Sequence, residues 1–344
     1  MRAALLILAM LLPAVAAADD AAPTPTADAA ASTSSAQATR PAVGPTERKR
    51  RGSTVGYIID ATIEDQLRVR FDAGFGNDVP DRAEFFYAQC GCNGGGAPGP
   101  GAPGAGDLVT KLQFQQLAIE GQYAFKRRNG DSRISVFAAI PVRFVQPQSF
   151  LGASFKPPVS NTFQSASGLS DVRVGVKAAI FSDIDTTLSA QVQGFFKTGD
   201  AKKGLGTDHG SVEFALLLNR RFADQFGLEA QIGDWHPTGG SASNGVSYSG
   251  DVFFWGIGPS YEIINTGRVT FAPVVEFVSW RVLGGLQQNQ GALTPADGTN
   301  IFNVKVGART TIDNRSSIYV GYGHALTNAV WYSDIIRVEY RYSF

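Results

Sequence analysis

The chain is poor in the residue types on which many catalytic and metal sites depend. Its 344 residues include two cysteines, two methionines and three histidines. It also lacks an apolar run of the roughly 20 residues that a transmembrane helix requires, and no segment keeps helical periodicity. Lys plus Arg and Asp plus Glu number 30 each, so no basic excess favours nucleic acid as a partner. These absences argue against a helical membrane protein, a soluble α/β enzyme and a nucleic-acid-binding protein.

Glycine and phenylalanine are abundant, with 39 and 23 residues. The mean hydropathy is −0.04, which on its face suggests a soluble protein. A transmembrane β-barrel gives the same average, because its lipid-facing and lumen-facing residues alternate and cancel in any window. The composition is therefore compatible with an exported barrel.

The N-terminus predicts export. A basic start at Met1-Arg2 precedes the apolar run Ala3–Ala16, and an A-x-A site predicts cleavage after Ala18. Residues 1–18 are thus expected to be a signal peptide. Residues 19–53 are rich in Ala, Thr, Ser and Pro and predict a disordered periplasmic leader. The remainder, residues 54–344, is expected to form an outer-membrane barrel.

Alternation of apolar and polar residues predicts twelve strands in this remainder. The first, about Gln66–Phe75, sets Leu67, Val69 and Phe71 against charged neighbours. In the second strand the alternation shifts phase at Gln115-Gln116, which predicts a β-bulge.

The connections predict how these strands are joined. Short turns, such as the one at Asn129-Gly130, alternate strictly with long loops, as in bacterial outer-membrane barrels. An even number of strands places both ends of the barrel in the periplasm. The predicted fold class is therefore all-β, a transmembrane antiparallel up-and-down barrel of about twelve strands.

The last predicted strand ends on aromatic residues at alternate positions. Tyr340, Tyr342 and Phe344 share one face with Ile336 and Val338. This pattern resembles the C-terminal strand that the barrel assembly machinery recognises, so we expect those three aromatic residues to form an assembly signal. Outer-membrane lipid and that machinery are the expected partners.

The opposite faces of the strands carry charges of both signs. A charge facing lipid costs about 2–4 kcal/mol near the midplane, so these side chains are expected to face the lumen. They either line a path for a small-molecule solute or pair into a network that stiffens or plugs the barrel. The candidates are Arg68, Arg70, Asp72, Arg143, Asp171, Arg173, Lys177, Glu213, Glu229, Lys305, Arg309, Arg337, Glu339 and Arg341.

Catalytic and metal chemistry have weak support. His209, His236 and His324 fall in predicted external loops and are isolated from other ligands, so no metal site and no cofactor are expected. Pairing His209 with Ser211 keeps an outer-membrane hydrolase as an alternative, although nothing marks the serine as activated.

Cys90 and Cys92 flank a glycine in the first long loop. Outside the cytosol a disulfide is their default state, although closing so tight a ring would strain it. The Gly/Pro-rich sequence that follows lacks a P-loop lysine. We expect a mobile loop with a possible disulfide rather than a phosphate site.

The run Gly168–Lys177 resembles a strand opening found in a family of outer-membrane barrels named after the meta-pathway of phenol degradation. Lys197 departs from the family, which usually has Pro there. Further similar segments are Phe196–Asp200, Gly204–Asp208, Gly256–Tyr261 and Val338–Phe344. The resemblance implies a transporter-like protein acting on aromatic or hydrophobic compounds and transfers no binding residue.

Together these observations predict a passive outer-membrane channel or facilitator for small solutes, and not an enzyme. A hydrolase and a plugged structural or surface-interaction barrel are the alternatives.

Overall fold

The computed structural model describes residues 52–77, 109–126, 132–150, 165–200, 203–207, 209–222, 225–239, 242–243, 246–247, 249–289 and 292–344. The predicted signal peptide, the leader before Gly52, the Asn129-Gly130 turn, Cys90 and Cys92 lie outside these residues. Within them, no helix has the length and apolar character needed to cross a membrane.

Twelve long antiparallel strands dominate the described chain, and the predicted all-β class and strand number are confirmed. The strands are β1 (Gln66–Asn77), β2 (Val109–Lys126), β3 (Ser132–Phe150), β4 (Val172–Ser182), β5 (Thr186–Phe196), β6 (Ser211–Phe222), β7 (Phe226–Pro237), β8 (Val252–Tyr261), β9 (Val269–Val282), β10 (Asn300–Ile312), β11 (Ser316–Ala325) and β12 (Asp334–Ser343).

The sheet closes on itself through β1 and β12. Their register runs from the pair Gln66 and Ser343 to the pair Phe75 and Asp334, and every other strand pairs with its two sequence neighbours. A closed barrel leaves no backbone edge unpaired, which is the condition for crossing a bilayer with strands. Short strands at Ala166–Leu169 and Ile264–Asn265 extend this sheet.

The two ends of the barrel differ. Five short connections, at residues 127–131, 183–185, 223–225, 262–268 and 313–315, join strand ends at the side where β1 begins and β12 finishes. We call this the turn end. The longer connections join strand ends at the opposite side, which we call the loop end. The predicted alternation of short and long connections is confirmed.

The outer surface of the barrel is apolar. Ile119, Ile140, Val176 and Leu216 each leave about half of their side-chain surface exposed, while their sequence neighbours point inward. Such a continuous exposed apolar belt is typical of the lipid-facing band of a transmembrane barrel.

The predicted β-bulge in β2 is wrong. The register with β1 and with β3 continues without a shift through Gln115 and Gln116. The apolar phase changes because Leu112 and Phe114 point inward and join a hydrophobic cluster inside the barrel, whereas Leu117 and its alternate neighbours face out. Part of the lumen near the loop end is therefore apolar.

The interior holds the segment that precedes β1. Residues 53–65, which we call the luminal loop, lie inside the barrel, with Val55, Ile58 and Ala61 almost completely buried. The predicted leader was expected to end at about Ser53, and the residues that follow it fill much of the lumen.

Candidate functional site

The luminal loop enters and leaves the barrel at the turn end. Thr54 contacts Glu229 and Ser260, which lie near the turn-end termini of β7 and β8. The loop reaches the middle of the barrel at Tyr57 and then returns. At its end, Asp65 accepts hydrogen bonds from the backbone amides of Ala124 and Phe344.

Glu276 of β9 holds the apex of the loop. One carboxylate oxygen accepts the amide of Gly56 at 3.0 Å. The other accepts the amides of Tyr57 at 2.8 Å and Ile58 at 2.7 Å. The Tyr319 hydroxyl also donates to this carboxylate, at 3.0 Å. Glu276 is completely buried, and a buried carboxylate with several donors is a strong, directional anchor.

Glycines in the wall make room for the loop. A Cβ on Gly258 would lie 2.8 Å from Val55 Cγ1, and one on Gly256 would lie 3.1 Å from Ile58 Cγ1. Any larger residue at Gly258 would therefore collide with the loop. Val55 and Ile58 complete an apolar cluster with Val274 of β9.

Arginines bind the backbone carbonyls of the loop. Arg309 donates to the carbonyls of Thr54 at 3.2 Å and Val55 at 2.7 Å, and Arg341 also donates to Val55 at 3.0 Å. Glu339 lies 2.6 Å from both guanidinium groups. These buried charges pair with one another and with the loop rather than with solvent.

Charged side chains also form ion pairs between β1 and its neighbouring strands. The Asp72 carboxylate accepts two hydrogen bonds from Arg337, at 2.6 and 2.9 Å, and Arg337 donates a third to the carbonyl of Gly56 at 2.6 Å. Arg70 lies 3.2 Å from Asp72, and Arg68 lies 3.2 Å from Glu120.

Lys177 narrows the lumen toward the turn end. Its ammonium donates to the carbonyl of Asp60 at 2.5 Å, to that of Thr62 at 3.4 Å and to Oε1 of Gln122 at 3.3 Å. The returning arm of the loop is thereby tied to β2 and β4. We call this cluster the constriction.

A cavity of about 300 Å³ lies between the apex of the loop and the loop end. A second cavity, of about 200 Å³, continues beside the loop to Lys177. Both are lined by the same central residues, Tyr57, Arg70, Arg173, Glu213, Phe254, Trp280 and Arg337. The two cavities therefore adjoin along one side of the loop, and the second one reaches Lys177.

The remaining charged candidates surround the first cavity, which they line together with aromatic rings. Arg143 donates to Gln116 Oε1 at 2.8 and 3.0 Å. Glu213 accepts from Gln193 at 2.6 Å. Lys305 donates to the Tyr332 hydroxyl at 2.6 Å.

Asp171 forms hydrogen bonds with two other segments that carry the family resemblance, Phe196–Asp200 and Gly204–Asp208. Its carboxylate accepts the amides of Gly199 at 3.0 Å and Thr207 at 2.8 Å, and the Thr207 hydroxyl at 2.9 Å. A Cβ on Gly206 would lie 2.5 Å from Asp171 Oδ1. This carboxylate organises a loop at the mouth of the barrel.

The expected loop positions of two histidines are wrong. His236 lies in β7 and His324 in β11, and each Nδ1 lies 2.8 Å from a carboxylate oxygen, of Asp251 and Asp334 respectively. Among the described residues Asp234, His236 and Asp251 are close enough to share an ion. The three residues are at least partly exposed, and nothing further marks them as a metal site.

The Ser211–His209 pair, on which the hydrolase alternative depends, has long geometry. Ser211 Oγ lies 3.5 Å from Nδ1 of His209, at the outer limit of a hydrogen bond. The same nitrogen lies closer, at 3.1 Å, to the carbonyl oxygen of Gly210.

Sequence reasoning missed Glu276 and the whole luminal loop. Glu276 interrupts a strand that is apolar on both faces, since Val274 and Val278 share its inward direction. A lone carboxylate in such a strand was the available signal. Glu276 lies at the position on β9 where the backbone amides of the loop apex offer hydrogen bonds.

No protein-family model and no curated protein matches this sequence. The structure is similar to that of an outer-membrane channel from Pseudomonas putida F1, with a TM-score of 0.54, 13% identity, and 82% of this chain and 96% of that chain covered. It is also similar to the β-domain of the Bordetella autotransporter BrkA (TM-score 0.46, 14% identity, 82% and 100% covered). A further similar structure is the NanC porin (TM-score 0.40, 12% identity, 81% and 98% covered). The similarity to the channel shows the fold, which is that of an outer-membrane β-barrel.

Proposed function

We propose that this protein is a passive outer-membrane channel for small solutes, whose lumen is narrowed by its own luminal loop. The observation that carries the proposal is the pair of adjoining cavities that run beside the loop as far as Lys177. A barrel that served only as a rigid support would have no need for adjoining internal cavities lined by charged groups. By the usual arrangement of such barrels, the turn end faces the periplasm.

Single-channel conductance of the refolded protein in planar bilayers tests this proposal. The full mature chain should give small conductance steps, because the constriction limits the path. Removing residues 19–63 should enlarge the steps, since the loop goes with them. Removing only residues 19–51 is the matched control, and it should leave the steps unchanged. A barrel that conducts in none of these forms would instead be a plugged structural or surface-interaction barrel.

Export and assembly form part of the same proposal. Residues 1–18 serve as a cleaved signal peptide, and the C-terminal strand engages the assembly machinery. The outward position of Tyr340 and the wide exposure of Phe344 support the second statement. The family resemblance is supported by the contact between its segments at Asp171. Fractionation and N-terminal sequencing of the mature protein test export.

A further inference from the structure

The geometry points to a binding site for a small organic anion with a flat apolar body, seated in the 300 Å³ cavity above the luminal loop. This inference rests on the proposed function in one respect: a channel gives the ligand access to the cavity. The site is built from one row of residues across β4 to β7 and from a facing group on β9, β10 and the connection before β12.

The row is set by the strand register. Arg173 of β4 pairs with Phe195 of β5, and Glu213 of β6 pairs with Trp235 of β7. The guanidinium of Arg173 lies 6.0 Å from the Phe195 ring centre, and the Phe195 and Trp235 rings are 5.9 Å apart. A cation and an aromatic pair therefore lie next to one another on the same wall.

Two donors of this row make no hydrogen bond within the described part of the chain. Arg173 forms only a long ion pair, at 3.8 Å, with a carboxylate oxygen of Glu120. The indole nitrogen of Trp235 is buried and has no partner among the described residues. Buried donors normally have partners, so a ligand with acceptor oxygens would complete this wall.

The facing wall offers a cation among aromatic rings. The Lys305 ammonium lies 3.9 Å from the ring centre of Tyr57, 5.0 Å from that of Tyr332 and 5.3 Å from that of Trp280. No carboxylate lies within ion-pair distance of it in the described residues. The Trp280 and Trp331 rings are 4.8 Å apart and extend this apolar wall.

The charges around the cavity favour an anion. Five cationic and three anionic side chains line it, and the three carboxylates already have donors: Asp72 from Arg337, Asp171 from the amides of Gly199 and Thr207, and Glu213 from Gln193. A single-sign excess in a low-dielectric cleft concentrates counter-ions. The lining cations are Arg70, Arg143, Arg173, Lys305 and Arg337.

The size of the cavity limits the ligand to about one substituted ring. An apolar cavity of about 150 Å³ accommodates benzene, and this one has twice that volume. An aromatic monocarboxylate fits both the space and the chemistry. Its ring would lie between the Phe195–Trp235 pair and the Trp280–Trp331 pair, and its carboxylate would face Arg173 and Lys305.

Titration of the purified barrel in detergent with benzoate, and with the neutral isostere benzamide, tests the site. Calorimetry measures affinity, and tryptophan fluorescence gives a second readout because three of the four tryptophans line the cavity. We expect saturable benzoate binding at least about tenfold tighter than benzamide binding, consistent with a charge-assisted contact. Equal affinity for both probes, or no saturable binding, would overturn the proposal.

Substitutions locate the site. Arg173→Gln should weaken benzoate binding about tenfold while leaving benzamide binding unchanged, and Lys305→Met should act in the same direction. Arg268→Gln, at an exposed turn, is the matched control and should change neither. Heat-modifiable electrophoretic mobility checks that each variant is folded, and Arg173→Lys should retain most of the preference if Arg173→Gln does not fold. Unchanged benzoate affinity in folded Arg173 and Lys305 variants would overturn the assignment.

Binding and conductance separate the two proposals. A protein that binds benzoate but never conducts refutes the channel and leaves the site. A protein that conducts without binding benzoate refutes the site and leaves the channel.

Discussion

Asp72 and Arg337 face each other directly across β1 and β12, the strand pair that closes the barrel. Both oxygens of the carboxylate accept from the guanidinium, which also donates to the carbonyl of Gly56 in the luminal loop. One buried ion pair therefore contributes both to the closure of the barrel and to the placement of the loop.

Replacing Asp72 with Asn should destabilise the barrel strongly. Removing one partner of a buried pair leaves an uncompensated charge and typically costs about 3–5 kcal/mol. Urea unfolding of the protein in lipid vesicles, followed by tryptophan fluorescence, measures this change. Asp313→Asn, which breaks an exposed pair with Arg268, is the control and should have little effect. Equal stability of the two variants would contradict the structural role of the ion pair.

Replacing Glu276 with Gln should release the apex of the luminal loop. The amides of Gly56, Tyr57 and Ile58 then lose their charged acceptor. Chymotrypsin should cut after Tyr57 faster than in the unmodified protein, as mass spectrometry of the fragments will show. Glu213→Gln changes a luminal carboxylate that does not contact the loop and serves as the control. Protection of Tyr57 in both variants would mean that other contacts suffice to hold the apex.

Replacing Lys177 with Met should widen the constriction. The ammonium group ties Asp60 and Thr62 to Gln122, and the methionine side chain cannot form these hydrogen bonds. Single-channel conductance should rise. Lys126→Met, at an exposed position near the turn end, should leave it unchanged. A lower or equal conductance in the Lys177 variant would place the narrowest point elsewhere.

An open lumen should prefer anions mildly. Cationic side chains outnumber carboxylates around the larger cavity, and charged linings set ionic preference. Reversal potentials across a salt gradient measure the preference. It should weaken at about 1 M salt, where screening shortens the reach of a charge to about 3 Å. Clear cation selectivity would contradict this account of the lumen.

Replacing Phe344 with Ala should lower the yield of assembled barrel without altering the lumen. Phe344 is widely exposed on the outer face, edge-on to Tyr342 at 5.0 Å. The fraction of protein in the outer membrane with heat-modifiable mobility measures the effect. Phe222→Ala, another outward aromatic near the turn end, is the control. Normal assembly of the Phe344 variant would refute the proposed signal.

The strands could be predicted from the sequence because the bilayer imposes a local rule. A charge in lipid is costly, so the alternation in β1 or β12 already separates the two faces. The charged residues on these two strands are buried or line an internal cavity: Arg68, Arg70, Asp72, Arg337, Glu339 and Arg341. The same rule gave a wrong prediction of a β-bulge at Gln115, because part of the lumen is apolar there. There Leu112 and Phe114 point inward to a hydrophobic cluster.

The luminal loop could not be predicted in this way. Residues 53–65 show no alternation, and their backbone is positioned by side chains more than 100 residues away in sequence, such as Glu276 at Gly56 and Arg337 at its carbonyl. The loop is bound mainly through its backbone amides and carbonyls, so its side-chain sequence carries no pattern that would reveal it. The charged residues could therefore be named from the sequence, but the luminal loop that they bind could not.

The luminal loop crosses the same mouth of the barrel twice, once at Thr54 and once at Asp65. Withdrawing it would break hydrogen bonds and ion pairs but no strand pairing, and it would thread no chain through the wall. Reversible withdrawal of the luminal loop is therefore compatible with an intact barrel, and a partner that drives it would have to act at the turn end.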